Sequence, residues 1–370
     1  MVNINRDTLR KIFLYLLIAL IGVGLIVLAS AGIIDGSRKF DDAYYYLKRQ
    51  LFQGVTFGGV GFLLAYFVPI NFIKKISPVI LVSGLALLGL LFVPSLAPDI
   101  NGANRWLYFG SISFQPSEFI KLALIIYLSA LFSKYLKANN GAIQFTNLIS
   151  PLLILALVSV LLIGQPDVGT LGVIAFICLT IFFFSNFKLK HLGLLVVLGL
   201  CAIIVLSITS PYRLNRLKTF LDPTSDKLST SYHINQAMLG LGSGGWLGLG
   251  YGRSVQKTKF LPEPVGDSIF AVMMEEGGFL SGLLVISLLM SLGFVVILLA
   301  IGSGDYFNQL LLYGAGGWLI FQTFIHIGAI SGILPLTGVP LPFISYGSSS
   351  MIALLTMSGL VYNVATNDTK

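Results

Sequence analysis

The chain reads as a succession of long apolar runs separated by short polar segments. Runs long enough to cross a bilayer occur about ten times, near 12–33, 53–71, 76–95, 117–136, 146–164, 169–186, 190–209, 267–300, 308–334 and 345–366. This pattern predicts an all-α integral membrane protein with about ten transmembrane helices, forming a single polytopic domain over residues 1–370. An even number of spans places both termini on one side. The longest interruption, 210–266, is predicted to be a large extracytoplasmic loop between helices 7 and 8.

Lysine and arginine choose the side. With the N-terminus inside, the short inner segments carry Arg6, Arg10, Lys11, Lys74, Lys75, Lys134, Lys137, Lys188, Lys190 and Lys370, against Arg38, Lys39, Lys48, Arg49 and Arg105 outside. That bias predicts cytoplasmic termini. The 210–266 loop is basic and external, but long loops follow the rule poorly. The first apolar run follows Arg6, Arg10 and Lys11 and has roughly 20 residues, longer than a signal-peptide core, so it is expected to be retained as a span. No short repeat and no similarity between halves is visible, which argues against an inverted-repeat transporter.

Composition supports the same picture. The 370 residues are 56% hydrophobic and 10% charged, where a soluble domain carries about 25% charged residues. Mean hydropathy is +0.89. The net charge of +8 is spread over loops, which suits anionic headgroups or a phosphate-bearing substrate better than nucleic acid. Cys178 and Cys201 lie in apolar runs and read as small apolar fillers. Tyr44, Tyr45 and Tyr46 before Lys48 and Arg49 read as an interfacial anchor. The 210–266 loop contains Trp246, Leu247, Leu249, Tyr251 and Phe260, so it is expected to fold onto the membrane face rather than to be a linker.

Asp267 stands at the seam between the polar "FLPEPVG" and an apolar span. It reads both as a helix N-cap and as a general base at the membrane surface. Glu263 could approach it. Glu275, roughly 12 Å deeper along a helix, and Glu276 do not pair well with it; both are costly inside a span and read as structural. One base without an acid suits a reaction whose leaving group is already an anion, such as a diphosphate, needing charge neutralisation more than a proton. Arg213, Arg216, Lys218, Arg253, Lys257 and Lys259 could supply that charge, or could form a face for lipid headgroups.

Other candidates are Arg105 and Trp106 in "NGANRWLYFG", an anion holder and an interfacial ring. Glu118 and Lys121, three apart, are expected to pair, as packing glue or in a polar cavity. Asp167 is expected to cap the sixth span, and His326 to hydrogen-bond between helices. The proline-broken "GILPLTGVPLPFISYGSSS", 332–350, reads as an external turn with Ser345 capping the last span, as a re-entrant segment lining a cavity, or as both. No histidine pair is spaced for a metal.

Six stretches in order, "NGANRWLYFG", "QPSEFIKLA", "GQPDVGT", "YHINQAMLGLGSGGWLGLGYGRSVQK", "FLPEPVGDSIFAVMMEEGGFLSG" and "ILPLTGVPLPFISYGSSS", resemble the SEDS family (shape, elongation, division and sporulation), which includes FtsW, RodA and SpoVE. "GLGYGRSVQKTKFLPEP" is more similar to the FtsW and SpoVE branch. Where members often read "PEAHTDFIFA", "EELG" and "SYGGSS", this chain reads "PEPVGDSIFA", "EEGG" and "SYGSSS"; the acid stays in place.

The resemblance implies a peptidoglycan glycosyltransferase of the bacterial cytoplasmic membrane. Such an enzyme would polymerise lipid II into β-1,4-linked glycan at the outer face, with inversion and undecaprenyl diphosphate as leaving group. Asp267 would be the catalytic base. The substrate-binding set would be Arg105, Trp106, Glu118, Lys121, Arg213, Arg216, Lys218, Gln236, Arg253, Lys257, Glu263, Ser345, Ser348 and Ser349. A divalent cation, magnesium or manganese, is compatible at a site the residues do not specify. The implied partners are a class B penicillin-binding protein (a transpeptidase) and cell-division or elongation proteins. The alternatives are a lipid II flippase, with Glu118, Lys121, Asp167 and His326 along a polar path, and a non-catalytic scaffold.

Overall fold

The computed structural model describes residues 5–98, 103–110, 112–139, 145–187, 190–197 and 230–367, with 141, 143 and 199. It is helical nearly throughout. Among the described residues, eight helices are long and apolar enough to cross a membrane. They are α1 (Arg6–Ala31), α3 (Tyr45–Phe67), α4 (Ile70–Leu90), α5 (Pro116–Ala138), α6 (Thr146–Gly164), α11 (Ile269–Ile301), α12 (Tyr306–Ile330) and α13 (Ser348–Asn367). Shorter helices complete the chain: α2 (Ile33–Phe40), α7 (Val168–Phe184), α8 (190–197), α9 (Thr230–Ser243) and α10 (Gln256–Lys259). The sixth expected span is thus a 17-residue helix, and most of the seventh, 190–209, lies outside the described residues.

Burial sorts the helices into a centre and a rim. In α12 and α13, 78% of the most apolar window is buried, and in α5 67%; in α1 and α4 the share is 28%, and in α3 and α6 22%. The rim helices turn Phe52, Phe67, Val79 and Leu153 outward, as lipid-facing helices must. The centre holds Phe132, Phe182, Phe307 and Trp318, all fully enclosed. Both chain ends lie at one end of the bundle: Arg6 donates to the carbonyls of Gly302 and Val364, each at 3.1 Å. At that end Asp305 caps α12 and faces Lys137 at 2.7 Å and Lys74 at 3.8 Å.

Two departures from regular helix matter. Within α3, Gln50–Thr56 is a π-helix, a form that recurs at functional positions. Gln50 is buried, and its Oε1 accepts the Gly347 amide at 3.1 Å. The second is a break in α11 at Gly278, where φ is 71° and ψ −174°. A glycine-rich strap from Gly244 to Gly252 fits into the break. The amides of Leu249 and Gly250 donate to the carbonyls of Glu275 and Glu276, and those of Phe279 and Leu280 donate to Gly245 and Trp246. A Cβ on Gly278 would lie 2.4 Å from the Gly248 nitrogen and the Trp246 oxygen. The strap therefore folds onto the membrane domain, as its apolar residues suggested.

The short strands β1 (Leu107–Phe109) and β2 (Ile112–Phe114) pair as an antiparallel hairpin, Leu107 opposite Phe114. The apolar pattern did not anticipate it, because three-residue strands carry too little alternation to register.

Candidate functional site

The end of the bundle opposite the chain termini contains a cavity of about 460 Å³, within the size range of ligand pockets. Tyr46 of α3 and four further segments wall it. The approach to α11 brings Glu263, Val265, Gly266 and Asp267; the hairpin brings Arg105, Trp106, Ser113 and Gln115; the segment after α12 brings Gly338 and Pro340; and the start of α13 brings Tyr346, Gly347, Ser348 and Ser350.

Asp267 is half-buried and lines this cavity. It is not the N-cap of α11. Ser268 holds that position, with φ −101° and no side-chain cap bond. The Ser268 hydroxyl instead donates to the Pro262 carbonyl at 2.8 Å and meets His233 Nε2 at 2.7 Å. The carboxylate one residue earlier is thereby not used as a cap and is presented to the cavity. Its segment is fastened from the other side: the Tyr346 amide donates to Val265, and the Ser345 hydroxyl donates to Gly266 at 2.9 Å. Ser345 also accepts the Leu341 amide at 2.9 Å, so it braces the loop and does not cap α13, which starts at Ser348.

Part of the segment between α12 and α13 lines the cavity, as one of its two readings expected. Two α12 side chains one turn apart hold consecutive carbonyls: His326 Nδ1 lies 2.8 Å from the Val339 oxygen, and Gln322 Nε2 donates to Pro340 at 2.9 Å. Gly338, at φ +72°, then passes Asp267; a Cβ there would sit 3.5 Å from Oδ2. His326 Nε2 and the Thr337 hydroxyl are buried without a partner among the described residues, beside a void of about 10 Å³ that Asp267 also borders.

Arg105 and Trp106 line the cavity. The guanidinium donates through Nε to Gln165 and through Nη2 to Pro166, leaving Nη1 outside these two bonds. Asp167 caps α7, accepting the Thr170 amide at 3.2 Å. Burial pushes the Tyr346 phenol up to about 12 against the opposing pull of Arg49.

Other candidates fall elsewhere. Glu118 and Lys121 pair at 2.7 Å with both side chains fully enclosed, and Lys121 also donates to Gln322 Oε1 at 2.9 Å and lies over the Trp318 ring. They brace the residue that holds Pro340 and do not line the cavity. Lys257 is buried against Glu276 and Ser30, and Ser254 and the amides of Val255 and Gln256 bond Glu275. Both glutamates are structural, as expected. Ser349 accepts the Gln115 amide at 2.9 Å. Gln236 on α9 is half-buried and Arg253 on the strap is exposed, and neither lines the cavity. Arg213, Arg216 and Lys218 lie outside the described residues. Sequence reasoning missed Tyr46, Ser113, Gln115, Gln322, His233 and Ser350; only Gln322, one turn before His326, carried a local signal.

Comparison with known proteins places this arrangement. The FtsW/RodA/SpoVE family, described as cell cycle proteins, matches residues 10–370. A probable peptidoglycan glycosyltransferase FtsW from Nitrosococcus halophilus is 37% identical over 362 residues, covering 95% of this chain and 91% of that protein. Among solved structures, a chain from a peptidoglycan synthase complex that coordinates polymerization and crosslinking superposes with TM-score 0.79 at 26% identity, covering 97% and 98% of the two chains. The rod shape determining protein RodA of Thermus thermophilus gives TM-score 0.71 at 26% identity, covering 97% of each.

Proposed function

We infer that this chain, which belongs to the FtsW/RodA/SpoVE family, is a peptidoglycan glycosyltransferase and a multi-pass protein of the bacterial cytoplasmic membrane. The observation that carries the reading is Asp267: a half-buried carboxylate, released from capping duty, on the wall of a cavity shared with Arg105 and a row of hydroxyls.

The chemistry follows from that placement. Asp267 takes the proton of an acceptor sugar's 4-hydroxyl as that oxygen attacks the anomeric carbon of a prenyl-diphosphate-linked donor. The bond from the anomeric carbon to the diphosphate oxygen breaks, and its electron pair leaves with undecaprenyl diphosphate. Direct displacement turns an α-linked donor such as lipid II into a β-1,4 product. No second carboxylate is needed, since the leaving group is stable as an anion. Among the described residues no group of three or more His, Cys, Asp or Glu gathers for a metal; a magnesium or manganese ion, were it to enter with the substrate phosphates, would neutralise charge on the leaving group. The side-chain bonds of Glu118, Lys121 and Asp167 to near neighbours favour scaffolding of this cavity over a polar path for lipid transfer. A class B penicillin-binding protein is the fitting partner, since the similar chain of TM-score 0.79 comes from a complex that joins polymerization to crosslinking. With both termini cytoplasmic the cavity opens on the outer face, where cell-division proteins would recruit it.

The test is Asp267→Asn in the purified complex with lipid II. General-base removal costs on the order of 10²- to 10⁴-fold. Glycan synthesis at the unaltered rate by the folded variant would overturn the assignment.

A further inference from the structure

The proposed reaction requires a seat for the leaving diphosphate, and the first turn of α13 has the makings of one. The first hydrogen bond of this 20-residue helix runs from the Met351 amide to the Gly347 carbonyl. The amides of Ser348, Ser349 and Ser350 therefore precede the ladder, as the opening donors of a helix do. The backbone dipoles concentrate positive potential at the same place. Gly347, Ser348 and Ser350 all line the cavity.

A second observation points to a ligand. Ser350 is 6% exposed and lines the cavity, and its hydroxyl has no hydrogen-bond partner among the described residues. The oxygen is not sealed in protein but reaches the cavity, where a guest can bond it. Its neighbours are used differently: Ser349 takes the Gln115 amide and Ser345 braces Gly266. Only the hydroxyls on the cavity side are left for a guest. Arg105, with Nη1 outside its two backbone bonds, lines the same cavity. Three amides, a hydroxyl and a guanidinium are donors, and the carboxylates of the same cavity, Glu263 and Asp267, come from the approach to α11. That set matches a dianionic group.

We propose that the N-terminal turn of α13, with the Ser350 hydroxyl, is the subsite for the diphosphate of the prenyl-linked donor. The proposal rests on the glycosyltransferase reading and deepens it. Asp267 then works on the acceptor hydroxyl at one wall, while the charge released on the donor is received at another.

The experiment measures binding of farnesyl diphosphate to the full chain in detergent, beside polymerisation of lipid II by the complex. Ser350→Ala removes one donor to a charged group, and binding should weaken about tenfold or more. Ser348→Asp places a carboxylate in the first turn, where it suits the helix dipole and supports folding, yet it should abolish binding by repulsion. Inorganic pyrophosphate should compete weakly, and phosphatidylglycerol should not compete. Asp267→Asn should bind farnesyl diphosphate normally while failing to polymerise. Unchanged affinity in Ser348→Asp, or no binding by the unaltered protein, overturns the subsite and leaves the base assignment standing. Normal polymerisation by Asp267→Asn overturns the reading of the reaction whatever the binding data show.

Discussion

Two buried lysine–glutamate pairs in this protein look alike and differ in construction. Lys121 and Glu118 belong to one helix, three residues apart. Lys257 and Glu276 come from separate elements, α10 and the upper turns of α11. The local pair is only partly satisfied: Glu118 Oε2 is buried without a partner among the described residues. The distant pair is more fully satisfied. Glu276 accepts from Ser30, Lys257 and the Ser254 amide, and the adjoining Glu275 accepts from Ser254, Val255 and Gln256. One pair stiffens a helix already fixed by packing and passes its order through Gln322 to Pro340. The other fastens α10, just beyond the glycine-rich strap that backbone bonds hold in the break of α11. The strap leaves Trp246 and Leu247 more than two-thirds exposed.

That contrast can be broken from either side. Lys257→Met should have the largest effect. It strands the Glu276 carboxylate in a buried site, at about 3–5 kcal/mol, and should free the strap; a thermal shift in detergent and faster proteolysis between 244 and 260 would report both. Lys121→Met strands Glu118 likewise, but the pair is local. Adding Glu118→Gln should recover much of the roughly 3 kcal/mol lost. Failure of the double variant to regain stability would mean that the pair does more than neutralise itself. Gly278→Ala forces a side chain into left-handed backbone and against the strap, at about 1–3 kcal/mol; its melting temperature should fall without loss of the Lys121 network. His326→Asn is the mildest. An asparagine amide can still donate to Val339, so stability should stay within about 0.5 kcal/mol, and a large loss of polymerisation would assign Nε2 a role that this comparison does not.

The contrast also explains what could be read from the chain beforehand. Eight of the ten expected spans, the Asp167 cap and the Glu118–Lys121 pair follow from spacing along one helix, and the described residues have them. Lys257 was grouped with cations for substrate because nothing within a few residues reveals Glu276 and Ser30 as its partners. Asp267 was placed one residue off as a cap because Asp and Ser are near-equal caps, and only the Pro262 carbonyl and His233 show how Ser268 is held there. The serine run likewise reads as uniform. Ser345, Ser349 and Ser350 part company only through Gly266, Gln115 and the cavity.

The break at Gly278 fixes how deep the catalytic end sits in the bilayer. Of the 33 residues of α11, those below the break measure about 35 Å at 1.5 Å each, enough to fill a hydrocarbon layer of about 30 Å. The turns above it, with Glu275 and Glu276 and the approach bearing Asp267, therefore stand at headgroup height. In the proposed reaction the Asp267 carboxylate would there meet water and sugar while prenyl tails remain in the oil below.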